Sequence, residues 1–289
     1  MNRNGPKQET AAGEQVSAAH LTPTVITPGG GWQALNLAEL WRFRELLYFL
    51  IWRDVKVRYK QTVLGAAWAL IQPAMMTFAL WFGLGKMARV PGADDPLFIY
   101  SGILPWTFFA TALASAGNSV VNSERLVTKV YFPRLAVPLA AVGAAVVDFM
   151  IASVLLVAMM LPRGIVPGVG LLVVPVVFVL LGVAAAGVGV LLSALMVAYR
   201  DFRYVVPFLV QFWLFATLTV YTPLSRLELS PWILSVNPMC GLIASFRAGL
   251  LNEPIPWALL GASSASFVLL FVIGCFYFRR VEDSFADIV

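Results

Sequence analysis

Residues 135–161 read LAVPLAAVGAAVVDFMIASVLLVAMML, 27 positions with one charge, Asp148. A run of that length as an α-helix rises roughly 40 Å, more than the ~30 Å hydrocarbon core of a bilayer. Working outward, five more uninterrupted apolar runs occupy 63–85, 98–117, 171–198, 205–224 and 256–278, none carrying a charge. The whole chain of 289 residues is 60% hydrophobic and 12% charged, with a mean hydropathy of +0.83. An ordinary soluble domain has about 25% charged residues, and disorder requires low hydrophobicity, so both classes are excluded. The runs lack the ten-residue alternation of an outer-membrane barrel. The expected fold is therefore an all-α integral membrane protein of six transmembrane helices. Pro138 and Pro175 offer places for the two longest runs to bend.

Lys and Arg counts orient the bundle, because short cytoplasmic segments carry the excess of positive charge. The N-terminal segment has eight, the 118–134 loop three, the 199–204 loop two and the C-terminal tail two, whereas the remaining loops hold five in all. Both termini are thus expected in the cytoplasm. The net charge of +5 follows from this asymmetry and is not a nucleic-acid signature. Residues 1–31, rich in Gly, Pro, Thr, Ala and Gln, lack an apolar h-region and read as a flexible cytoplasmic tail. Cys240 falls in the expected last outer loop and Cys275 near the inner end of the last span, so both are expected as free thiols.

Residues 32–62 read as an amphipathic interfacial helix ahead of the six-helix domain at 63–289. Within the segment 37–60, LAELWRFRELLYFLIWRDVKVRYK, one face at 100° per residue collects Leu37, Leu40, Trp41, Leu47, Tyr48, Ile51, Val55 and Tyr59. Arg42, Arg53, Lys56 and Lys60 gather on another, and Arg44 and Arg58 interrupt the apolar one.

Candidate chemistry is sparse. The single histidine, His20, has no partner for metal binding or nucleophile activation, and Gly85-Lys86 lacks the spacing of a phosphate loop. No cofactor is expected on this chain. Asp148 is a candidate either for function or for holding helices together, since an intramembrane charge is costly. The loop NSVVNSERLVTKVYFPR at 118–134 reads as a docking surface. Asn122 or Ser123 caps a short helix that Pro133 stops, with Val127, Val130 and Tyr131 on one side and Arg125 and Lys129 as like charges four apart.

Two polar and aromatic stripes are candidates for lining a passage. Tyr204, Phe208, Gln211, Phe212, Phe215, Thr219 and Thr222 share an arc of the fifth run, and Gln61, Gly65, Trp68 and Gln72 share one at the first. Facing hydrocarbon, the amides and hydroxyls would be costly; facing a hydrated polar substrate they exchange hydrogen bonds while the rings offer stacking faces. The alternative is helix–helix packing. In the fourth run Ala185, Gly189 and Ser193 form a small-residue seam, expected within the bundle.

Five segments, ELWRFRELLYFLIWRDVKVRYKQTVLGAAWALIQP (39–73), GILPWTFFA (102–110), LVTKVYFPR (126–134), VDF (147–149) and YRDFRYVVPFLVQ (199–211), together resemble the membrane subunits of type-2 ATP-binding-cassette exporters for O-antigen, teichoic acid and capsular polysaccharide. The resemblance covers about 25–289. It implies a permease subunit in the bacterial cytoplasmic (inner) membrane, a second copy of the chain, and two cytoplasmic ATPase subunits that hold ATP and magnesium. It implies that the 118–134 loop, including Phe132 and Arg134, contacts those subunits, and that the first and fifth helices border a conduit for a lipid-linked polysaccharide, which makes the two stripes its expected lining, with rings stacked on sugar faces. Export of a smaller lipid or drug is the alternative substrate. A membrane-embedded glycosyl- or phospho-transferase is the rival class, which would need a carboxylate cluster; Asp94 and Asp95 read instead as a solvated turn before Pro96.

Overall fold

A computed structural model describes residues 37–60, 62–90, 92–129, 132–227 and 230–282. For 37–39, Val127 and Pro231 it describes the backbone alone. The expected tail at 1–31 lies outside the described residues. Helices α1 (Leu37–Arg42) and α2 (Arg44–Lys60) precede α3 (Ala67–Leu80), which continues as a wider π-helical segment, Trp81–Met87. Then come α4 (Pro96–Asn122), the short α5 (Glu124–Lys129), α6 (Ala136–Met160), α7 (Val173–Ala198) and α8 (Phe202–Ala216). The chain closes with α9 (Pro231–Val236), α10 (Pro238–Leu251) and α11 (Trp257–Val281). Among the described residues there is no strand. This is an all-α membrane protein.

Five helical segments are long and apolar enough to cross a membrane: Ala67–Met87, Pro96–Asn122, Ala136–Arg163, Val169–Ala198 and Trp257–Val281. They match five of the six apolar runs. The run at 205–224 does not form a sixth of that length. Helix α8 has 15 residues, roughly 22 Å, and ends at Ala216. At its end Asn237 Nδ2 donates to the Ala216 carbonyl (3.3 Å) and to Thr217 Oγ1 (2.9 Å), giving terminal groups partners outside the helix. The expected outer loop around Cys240 is likewise corrected, because 238–251 is the apolar helix α10, buried along almost its whole length. Asn237 caps it by accepting from Met239 N at 3.2 Å, with Pro238 at the first helical position.

Pro138 and Pro175 lie in the first turns of α6 and α7, where backbone N–H groups lack intrahelical partners, so they begin the helices and do not bend them. Helix α4 is the centre of the bundle, packed against α3, α6, α7, α8 and α10, while α11 lies along α7. Asp95 starts α4 by accepting from Leu97 N at 2.8 Å. The small-residue seam sits between α4 and α7 as expected: Ala185 and Ser193 are buried, and a methyl group at Gly189 would stand 2.6 Å from Ala116 Cβ. Outward, Val154, Val157, Val176, Val179, Leu269 and Val272 are exposed, the aliphatic surface a bilayer covers. Cys240 and Cys275 are free and buried.

Helix α10 carries the largest departure from the sequence reading. Arg247, counted as an outer-loop charge, is 2% exposed. Its guanidinium donates to Ser101 Oγ (2.9 Å) and to the carbonyls of Thr219 (2.8 Å), Phe98 (3.1 Å) and Val220 (2.9 Å), and lies 3.5 Å from the Phe98 ring centroid. Planar, five-donor geometry suits Arg to such a set of oxygens. It ties α10 to the start of α4 and to the 3-10 turn Leu218–Val220.

Candidate functional site

The site begins with the fit of α2 on α6. Leu40, Phe43, Leu46, Leu47 and Ile51 pack on a second, smaller core formed by Leu50, Phe132, Leu135, Val137 and Phe278, so the helix leans on the bundle by spacings of three and four. Gly143 of α6 permits the approach, since a methyl group there would lie 2.6 Å from Ile51 Cδ1. Trp41 and Tyr48, also on the expected apolar face, are exposed and not packed on the bundle. Arg42, Lys56 and Lys60 point to solvent or headgroups, and Arg53 pairs with Asp54 at 2.8 Å.

Two turns beyond Ile51 on the same face comes Arg58. Its Nη1 donates to Asp148 Oδ2 on α6, its Nη2 donates to Ser115 Oγ on α4 at 3.2 Å, and the adjacent Tyr59 hydroxyl donates to Asp148 Oδ1. The apparent interruption of the apolar face is thus the partner of the lone intramembrane carboxylate. The Arg58 and Asp148 side chains stay 30% and 20% exposed, so the pair is half-wet and not sealed. Burial first, and then the hydrogen bond to Asp148, hold the Tyr59 phenol above its ordinary value. It remains a neutral donor at any physiological pH.

These groups wall a cavity of about 430 Å³ between α2, α3, α4 and α6. Trp68 and Gln72 of the first predicted stripe line it, with Gly65, Thr107, Thr111, Phe108 and Phe149. Trp68 is 52% exposed there. Gln61 lies outside the described residues. A second, wider cavity of about 720 Å³ opens on the other side of Arg58, between α2, the end of α4 and α5. Arg58 lines both.

The second stripe is placed elsewhere. Tyr204, Phe208, Gln211, Phe212 and Phe215 form an exposed face of α8, while Val206, Val210, Trp213 and Leu214 turn inward. Within one chain the structure does not bring this face to the Trp68 cavity. Thr219 and Thr222 are corrected: they follow the end of α8 and are buried, the Thr219 carbonyl held by Arg247. Leu209, opposite in the helical projection, is exposed as well, which makes the open face broader than the stripe.

The expected docking loop is also narrowed. Helix α5 forms, with Arg125 and Lys129 exposed. Phe132 is 6% exposed and belongs to the smaller core under α2, and Arg134 Nη1 donates to the Glu282 carbonyl, so neither is an open docking residue. Val130 and Tyr131 lie outside the described residues, as does the side chain of Val127. Among the described residues no group of three His, Cys, Asp or Glu is placed to hold a metal ion.

Residues 45–251 match the family model described as ABC-2 type transporter. The chain belongs to this family. As an ABC-2 type transporter chain it is a transport membrane subunit, and its long exposed aliphatic faces are those of a multi-pass membrane protein. It is similar to the O-antigen export system permease protein RfbA of Myxococcus xanthus, 29% identical over 252 residues that cover 85% of this chain and 96% of the relative. It is also similar to the protein of the same name from Klebsiella pneumoniae, 24% identical over 246 residues covering 85% and 95%. Sequence reasoning did not find Arg58 as the partner of Asp148, and it missed Ser115, Thr107, Thr111 and the Arg247 clamp of this ABC-2 transporter. Two signals were present for the first of these: a cation on the apolar face of α2 and an anion in the apolar run of α6 are complementary defects.

Proposed function

We propose that this chain is the permease through which a lipid-linked polysaccharide, of the O-antigen, capsule or teichoic-acid type, leaves the inner leaflet of the bacterial cytoplasmic membrane. The observation that carries the reading is its similarity, over nearly the full length of the relatives, to O-antigen export permeases. The polar and aromatic surfaces support it: lipid does not reward Gln72 and Trp68 in a cavity, nor Gln211 among the exposed rings of α8. Two copies form the conduit, with the α8 face of Tyr204, Phe208, Gln211, Phe212 and Phe215 turned to the passage and not to hydrocarbon. Helices α8 and α10 together make the sixth crossing, which keeps both termini cytoplasmic, as the positive-inside balance requires. Two cytoplasmic ATPase subunits, holding ATP and magnesium, dock on α5 through Arg125 and Lys129 and drive export. Asp148 works as part of the Trp68 cavity.

The test is deletion of this chain in its host. Lipid-linked glycan should accumulate inside and surface polysaccharide should disappear, with both restored by the intact chain. Unchanged surface polysaccharide overturns the reading, and loss of a small lipid from the outer leaflet instead would assign the smaller-substrate alternative.

A further inference from the structure

Arg58 and Asp148 bring one positive and one negative group to the wall of the 430 Å³ cavity, and the remaining polar groups there are neutral. Resting on the glycan-export reading, we propose that this cavity is a subsite for an uncharged sugar ring of the exported glycan and excludes its phosphate groups. The volume falls within the ~300–1,000 Å³ of small-ligand pockets. Its surfaces are divided as a sugar's are. Trp68 supplies the open aromatic face for the C–H face of a ring, with the buried Phe108 and Phe149 forming the apolar floor, and Tyr59, Gln72 and the ion pair supply hydrogen-bonding groups for hydroxyls.

The hydrogen-bond inventory has room for a ligand. Each Asp148 oxygen accepts from one donor, Arg58 or Tyr59, and a carboxylate offers about four lone-pair sites, so a hydroxyl can still donate to it. Thr107 Oγ1 donates to the Ile103 carbonyl at 2.8 Å and keeps its own lone pairs as acceptors. A phosphate has no such welcome. The one guanidinium is already neutralised, and taking it from Asp148 would leave that carboxylate half-buried beside a second anion.

The charge argument makes Asp148→Asn a specificity switch. With the carboxylate gone, Arg58 becomes an uncompensated cation, so anion binding should appear as sugar binding falls. The test uses the permease–ATPase complex in lipid nanodiscs. One probe is the oligosaccharide released by mild acid from the host's own lipid-linked glycan; the other is inorganic pyrophosphate. In the wild type the oligosaccharide should bind and pyrophosphate should not displace it. Trp68→Ala should weaken oligosaccharide binding at least tenfold, and Trp68→Phe, which keeps an aromatic ring, should stay within about threefold. Asp148→Asn should lose at least tenfold for the oligosaccharide and gain measurable pyrophosphate binding. Oligosaccharide binding that is absent in the wild type, or unchanged in Trp68→Ala and Asp148→Asn, overturns the subsite. Displacement by pyrophosphate in the wild type assigns the cavity to phosphate and also overturns it. If deletion of the chain abolishes export while the oligosaccharide fails to bind, the subsite alone is wrong; if deletion leaves export intact, the export reading falls first.

Discussion

Replacing Arg247 by Met should loosen α10 without removing much of its apolar packing. The side chain lengths are similar, so the loss falls on the oxygens that the guanidinium serves. All four oxygens lose the charged donor, but Ser101 Oγ continues to donate to the Phe98 carbonyl at 2.7 Å, so the cost falls on the Thr219 and Val220 carbonyls. An orphaned buried acceptor costs about 1–3 kcal/mol. Part of that is offset, because the variant no longer buries a charge. A net loss of about 3 kcal/mol raises the population of locally opened α10 roughly 100-fold, at about 1.4 kcal/mol per factor of ten. Cys240, 1% exposed and two turns before Arg247 on the same helix, reports that opening. In a Cys275→Ser background, maleimide labelling of Cys240 under native conditions should accelerate by about two orders of magnitude. Arg247→Lys should fall between, because an ammonium keeps the charge but lacks the planar fork. Labelling of Arg247→Met within threefold of the parent would refute the idea that the clamp holds α10 in place.

Gly102→Ala should act in the same direction by a different route, since a methyl group there would stand 2.5 Å from Arg247 Nη2 and 2.7 Å from the Val220 carbonyl; Cys240 labelling again reads it. Gly189→Val should destabilise the α4–α7 seam by about 1–3 kcal/mol through overpacking, visible as a lower unfolding temperature in detergent. Arg125→Glu with Lys129→Glu should leave the bundle folded, because both are exposed, and abolish co-purification of the ATPase subunits; retained co-purification would make α5 a mere connector. For topology, Asp94→Cys should react with an impermeant thiol reagent on intact cells and Arg125→Cys should not, against a low background because both native cysteines are buried. Phe208→Ala and Phe212→Ala should lower export at normal expression, whereas Val154→Ala, on the exposed aliphatic surface of α6, should not.

Five spans were legible because an apolar run of 20 or more residues has only one way to satisfy its backbone in lipid. The same rule misread 205–224, where hydropathy continues past Ala216 but the helix does not. Its terminal groups are met by Asn237, a residue 21 positions further on, and no local window contains that contact. Helix α10 was hidden for the complementary reason. Its 14 residues are too few for a span, and Arg247 within it resembles a loop charge until its four oxygen partners are known. At the site, Trp68, Gln72 and Asp148 were legible separately as costly residues in apolar surroundings, but their convergence depends on the angle at which α2 meets α6. Phe132 was misplaced because an aromatic residue in a cytoplasmic loop looks exposed, and burial came from Leu50 and Phe278, both remote in sequence.

Arg58 has a practical consequence for anyone grafting parts between such transporters. Its two hydrogen-bonding nitrogens hold residues on different helices, Asp148 on α6 and Ser115 on α4, and α4 leads within a few residues into α5. With a parent that lacks this pair, exchanging α2 alone would strand a carboxylate inside the bundle, and exchanging α6 alone would strand a guanidinium. The smallest transplantable module is therefore the stretch from α2 through α6, and with such a parent a chimera whose crossover point falls after α2 but before α6 inherits a mismatched pair however well its hydropathy profile is preserved.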